Sequence, residues 1–118
     1  PRPADERTPA PVATEAPAYK LSQLSAHRIQ IDYYDGTDET PKRAKPEGQH
    51  GVEIRWNFSD TPVTDAEDLT NSVFDTATPA ILSFSGHDHG RTLYLALRWE
   101  NSRGEKGPWS TVTETYVP

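Results

Sequence analysis

With 118 residues the chain has room for one domain around one core, about the size of a seven-stranded sandwich. Eleven prolines exclude a helical bundle, and a formal charge of -6 supplies no positive field to gather a polyanion, so nucleic acid is not an expected partner. There is no cysteine, which excludes disulfides, thiolate metal sites and a cysteine nucleophile; no apolar run approaches the ~20 residues a bilayer requires, so membrane insertion is not expected.

Residues 1–17 (PRPADERTPAPVATEAP) are rich in Pro, Ala and Thr, with Val12 as the one large aliphatic side chain. Such a run cannot bury enough surface to offset its ordering entropy and reads as a linker or disordered tail, with the folded module spanning 18–118 and appended to something larger. Residues 18–26 hold Tyr19, Leu21 and Leu24 and suit a first strand or a helical turn, the strand being favoured because a sandwich needs one. Residues 27–34 (HRIQIDYY) place Ile29, Ile31 and Tyr33 on one face, the period of a half-buried strand, until Asp35-Gly36 turns the chain. A long polar loop leads to residues 51–58 (GVEIRWNF), where Val52, Ile54, Trp56 and Phe58 point inward and Glu53, Arg55 and Asn57 outward. Trp56, as the largest of these, is expected at the centre of the core.

Thr64-Asp65-Ala66-Glu67 matches a capping box with Thr64 at the cap, followed by at most a turn of helix. Val73-Phe74 suits a short edge strand. Residues 80–85 (AILSFS) suit another strand, with Leu82 and Phe84, or Ile81, facing in. After the turn at residues 86–90 (GHDHG), the alternation of Leu93, Leu95, Leu97 and Trp99 with Tyr94, Ala96, Arg98 and Glu100 marks the central strand, ended by the polar stretch 101–108. Residues 111–117 (TVTETYV) are β-branched like a final strand, and Val112 and Tyr116 are the favoured inward pair. The spacing of strands and turns, with no helix long enough to cross between parallel strands, predicts an all-β fold: an antiparallel two-sheet sandwich of about seven strands.

The residues from Leu93 to Ser110 resemble the last hairpin of fibronectin type III and other immunoglobulin-like domains. In that family a penultimate strand of pattern Tyr-x-Val-x-Val-x-Ala leads to Asn, a glycine-containing loop and a Ser that opens the last strand. Aligning Asn101 and Ser110 puts Leu93, Leu95, Leu97 and Trp99 inward, and Asn101, Gly104, Gly107 and Ser110 on the turn. Leu93 then stands where the family has its corner tyrosine, and Tyr94 is one residue off. The stretch also looks similar to the C-terminal fibronectin-like domain of uncharacterised bacterial proteins, which implies a fold and no activity. Trp109-Ser110 resembles half of the Trp-Ser-x-Trp-Ser element of cytokine receptors, which implies Trp109 stacked on Arg98 or Arg55 as a cation-π contact, or else left exposed for binding.

Few residues offer chemistry. His87 and His89 flank Asp88 in one turn and could ligate zinc or nickel if the turn stays extended, with no obvious third ligand because His27 and His50 are distant in sequence; a plain polar turn is the other reading. Ser85, His87 and Asp88 are crowded together without a nucleophile elbow. Asp32, Asp35, Asp38 and Glu39 carry hard oxygens, yet their spacing is not that of a calcium loop and a solvated acidic turn fits as well. Lys42, Arg43 and Lys45 form a short basic run that suits a solvated loop or a contact with an acidic partner. Asn57-Phe58-Ser59 is a formal glycosylation acceptor. Tyr94, Arg98, Arg55 and Tyr34 are expected to share the outer face of one sheet, a mixture common at interfaces, and with Trp109 they make the candidate binding set.

The expected function is that of a non-catalytic module in protein-protein interaction or a structural spacer, with another protein or a neighbouring domain of the same chain as partner, self-association open, and no cofactor. The alternative is a carbohydrate- or metal-binding sandwich using exposed aromatics or the His87/His89 turn. Nothing in the sequence specifies a compartment.

Overall fold

A computed structural model describes residues 12–36 and 48–118. Among them seven strands follow in chain order: β1 (Ala18–Leu24), β2 (Arg28–Tyr34), β3 (Gln49–Phe58), β4 (Asn71–Asp75), β5 (Ala80–Ser83), β6 (Thr92–Asn101) and β7 (Thr113–Tyr116). They form two antiparallel sheets, one in the order β1-β2-β5 and the other β4-β3-β6-β7. The arrangement is compatible with an immunoglobulin-like or fibronectin type III-like sandwich. The two helical segments among these residues are single 3₁₀ turns, Ala66–Asp68 and Gly86–Asp88. No helix among them is long and apolar enough to cross a bilayer.

Period-two alternation sets which side chains meet. Ile29, Ile31 and Tyr33 of β2, with Ala80 and Leu82 of β5, face Val52 and Ile54 of β3 and Leu93, Leu95, Leu97 and Trp99 of β6, and all are buried. Tyr33 and Trp99 meet edge to face across the gap, ring centres 5.8 Å apart. The Tyr33 hydroxyl donates to the Asp75 carboxylate at 2.6 Å, so the phenol crosses from the three-stranded sheet to an edge strand of the other. Burial, then the hydrogen bond to Asp75 and the charge on that carboxylate, hold the Tyr33 phenol well above its ordinary value.

The centre of the core differs from the sequence expectation. Trp99, 1% exposed, is the largest fully buried side chain, whereas Trp56 is half-buried. Trp56, on β3, lies opposite Leu95, and Phe84, just after β5, packs on it from the other sheet. Trp56, Phe58 and Phe84 form a three-ring cluster there, with centroids 5.1 to 5.7 Å apart.

The last strand is also turned over. Leu93 pairs with Thr115 and Leu95 with Thr113, and residues directly opposite share a face, so the odd-numbered side chains of β7 face in. Val117 is therefore the fully buried residue of this segment, Tyr116 is 52% exposed, and Val112 packs on the outer side of the sheet. In the 3₁₀ turn after β3 the cap is Asp65, one residue later than expected, its carboxylate accepting the Glu67 amide at 3.0 Å.

The chain before β1 does not all stand clear of the sandwich: Pro17 is buried and Ala13 packs against the core. The remainder of the Pro/Ala run, residues 1–11, lies outside the described residues, as do Asp38, Glu39, Lys42, Arg43 and Lys45. On one flank of the sandwich the Tyr19 hydroxyl and Thr113 Oγ1 bond at 2.5 Å and Gln23 Nε2 donates to the Tyr116 carbonyl, which ties β1 to β7. On the other flank β4 is an edge strand with Val73 and Phe74 each 41% exposed.

Candidate functional site

The outer face of the four-stranded sheet gathers charge and aromatic surface. Glu53 of β3 stands directly opposite Arg98 of β6, a cross-strand pair of opposite sign, and Arg55 lies two residues along on the same face. Arg98 donates to one Glu53 carboxylate oxygen through Nε at 2.8 Å and approaches it through Nη2 at 2.7 Å. Arg55 Nε and the Ser72 hydroxyl donate to the other oxygen at 2.9 and 3.1 Å, and Lys106 Nζ stands 3.7 Å from the first. Glu53 is only 7% exposed. Burial pushes its carboxyl up, but the hydrogen bonds from Arg98, Arg55 and Ser72 outweigh that, and its pKa lies below the ordinary 4.5.

Trp109 covers this ion cluster. Its ring centre is 4.1 Å from the Arg98 guanidinium carbon and 5.2 Å from that of Arg55, and its indole N–H donates to Glu67 at 2.8 Å. The backbone holds it there: the Ser110 amide donates to the Leu97 carbonyl at 2.8 Å, the Ser110 hydroxyl accepts the Leu97 amide at 3.0 Å, and the Gly107 amide donates to the Trp99 carbonyl at 2.9 Å. Beside it a second small core forms from Ala66, Leu69, Tyr94 and Ala96, with Val63, Trp109 and Val112 packed on them. The loop after β3 and the segment before β7 therefore roof the outer face. Tyr94 is 7% exposed beneath them, its hydroxyl donating to Glu114 at 3.1 Å rather than closing a tyrosine corner.

Of the candidate binding set, the structure brings Tyr94, Arg55, Arg98 and Trp109 onto this one face. Tyr34 does not join them, because it belongs to β2 in the opposite sheet. Two participants escaped sequence reasoning: Glu53, read as an ordinary outward residue, and Glu67, read as part of a helix cap. The signal for Glu53 was its charge opposite to both Arg55 and Arg98, but the pairing register that joins them is not a local property.

The His87/His89 turn folds as a 3₁₀ turn capped by Ser85, whose hydroxyl accepts the His87 amide at 3.1 Å. Residues two apart in such a turn do not share a side as they would in an extended one. The ring that meets His89 is His27, with centroids 5.6 Å apart. Among the described residues no three His, Asp or Glu side chains gather as a metal-holding group. An open cleft of about 420 Å³ lies nearby, lined by Phe58, Ser59, Asp60, Gly90, Arg91 and Thr92, with the Arg91 guanidinium 3.9 Å over the Phe58 ring. Asn57 serves the roof: its Oδ1 accepts from the Thr70 amide and hydroxyl and from Asn71, and its Nδ2 donates to the Asp68 carbonyl.

No protein-family model matches the chain, and no curated protein matches it.

Proposed function

We propose that the chain is a non-catalytic β-sandwich module of a larger protein that acts as a structural spacer or interaction domain. The observation behind this reading is that the functional-looking side chains on the outer face are engaged with one another. Arg98 and Arg55 both pair with Glu53, Arg55 also lies 3.7 Å from a Glu67 carboxylate oxygen, Trp109 rests on both arginines, and Tyr94 lies under the roof, so this set stiffens the module instead of presenting a ligand platform. The exposed apolar side chains on β4, Val73 and Phe74, lie on the edge strand of its sheet among the described residues, where a partner segment would add as a further strand.

The competing carbohydrate-binding reading needs the free face of an aromatic ring. Titration of neutral oligosaccharides followed by tryptophan fluorescence decides between them. The expected result is no saturable change; saturation that Trp109→Ala abolishes in a variant that still folds overturns the spacer reading.

A further inference from the structure

We infer, on the reading of β4 as a strand-adding edge, that the segment it takes is β4 of a second copy of this chain, running antiparallel to it about a two-fold axis. Among the described residues β4 has one strand neighbour, β3. Chains that stay monomeric blunt such an edge with lysine, proline or a bulge. The sequence of β4, NSVFD, contains neither residue, and its pairing with β3 runs from Asn71 to Asp75 without a slip. Val73 and Phe74 are exposed at its centre. β5, the edge strand of the other sheet, differs: it has four residues and starts directly after Pro79.

The faces and the charge of β4 make it its own complement. Val73 stands opposite Ile54 on the inward face, while Ser72 and Phe74 stand opposite Arg55 and Glu53 on the outer face. A two-fold axis perpendicular to the sheet leaves inward residues inward, and residues directly opposite share a face, so the axis must pass through a residue and not between two. Centred on Val73, it pairs all five residues with one another. Val73 then meets Val73 of the second copy on the inward face, Asn71 meets its Asp75, and on the outer face Phe74 meets its Ser72 and lies diagonal to its Phe74, a spacing of about 7–8 Å that aromatic rings bridge. The strand carries a single charge, Asp75, whose carboxylate accepts the Tyr33 hydroxyl at 2.6 Å and the Ala77 amide at 3.1 Å. Opposite an asparagine, it faces no like charge. What opposes the pair is the charge of -6 on each copy, which salt screens.

A strand pair this short falls below the roughly 1,200 Å² at which stable interfaces begin, so dissociation constants between about 10 µM and about 1 mM are expected. Sedimentation equilibrium of the 118-residue chain across that range, with amide NMR spectra at the same concentrations, tests it. The expected result is a monomer-dimer equilibrium in which the amides of residues 71–75 shift with concentration and association strengthens from about 50 mM to about 500 mM salt. Val73→Lys sets two like charges opposite each other and should weaken the dimer by about tenfold or more, although it lowers the net charge; Ile81→Lys, the same charge change on β5, should leave it within about twofold. Asn71→Asp, at an exposed position, should also weaken it by placing a carboxylate opposite Asp75 of the second copy, which keeps the test decisive if Val73→Lys fails to fold. Equal losses in Val73→Lys and Ile81→Lys overturn the inference. So does a chain that stays monomeric at about 1 mM. If that monomer still shifts its 71–75 amides on adding a synthetic peptide of residues 69–77, self-pairing fails while strand addition at β4 stands; if it does not, both fail.

Discussion

The guanidinium of Arg98 lies 4.1 Å from the centre of the Trp109 ring while its Nε and Nη2 reach the Glu53 carboxylate. The stack joins a charge pair at the middle of the sheet to a residue from the segment leading into the last strand. Removing the indole therefore opens the roof as well as the cation-π contact.

Trp109→Ala is expected to lower unfolding free energy by about 2–3 kcal/mol, combining lost packing at a half-buried site with a contact worth about 0.5–2 kcal/mol. Urea titration measures it. Trp109→Phe, which keeps a ring over Arg98 but loses the bond to Glu67, should cost less than half as much.

Glu53→Gln leaves Arg98 without its carboxylate and Arg55 with Glu67 alone, and should cost about 2–4 kcal/mol near neutral pH. The pH dependence has a definite sign. Because the folded Glu53 carboxyl has a pKa below 4.5, its contribution is complete above that value and is lost as the pH falls through the lower folded value. The stability gap between the native chain and Glu53→Gln should thus be full at pH 6–7 and shrink toward pH 3. A gap that stays constant across that range would show that the charge on Glu53 is not what holds the cluster.

Tyr33 acts at the other end of the scale. Its folded pKa is raised above the ordinary 10.0, so its stabilisation is complete below pH 10 and is lost as the pH climbs through the folded value. Tyr33→Phe should be less stable by about 1.5–3 kcal/mol at pH 7, the range for a hydrogen bond to a charged group, and the difference should narrow in alkaline melts.

Gly51 sits where the pairing of β3 with β6 slips by one residue, and a Cβ there would run into the backbone carbonyl of Asp75 on β4. Gly51→Ala should push β4 off the sheet, destabilise the domain by more than about 2 kcal/mol and speed amide exchange in residues 71–75 before the rest of the sheet. Equal protection in the two proteins would refute this.

The strands were legible because burial on one face imposes period two, and Ile29, Ile31, Leu93, Leu95, Leu97 and Trp99 all face inward as their alternation predicts. What alternation cannot supply is where the opposing sheet ends. Nor does it rank the inward residues by burial: Trp56 is half-buried while Trp99 is 1% exposed. It also fails where both faces of a strand carry apolar groups, as in TVTETYV, whose inward set is fixed by the pairing of Leu93 with Thr115. For the outer face, the stacking of Trp109 on Arg98 and Arg55 agrees with the Trp-Ser likeness. The burial of Glu53 depends on a loop and a segment, both later in the chain, folding over it, a tertiary event with no local trace.

The two flanks of the sandwich are unlike. On one, Tyr19 and Gln23 are knotted to Thr113 and Tyr116; on the other, β4 is the edge strand of its sheet among the described residues. Strand addition by a neighbouring chain should accordingly begin on the β4 side, whereas the opposite flank first has to give up the Tyr19 and Gln23 contacts.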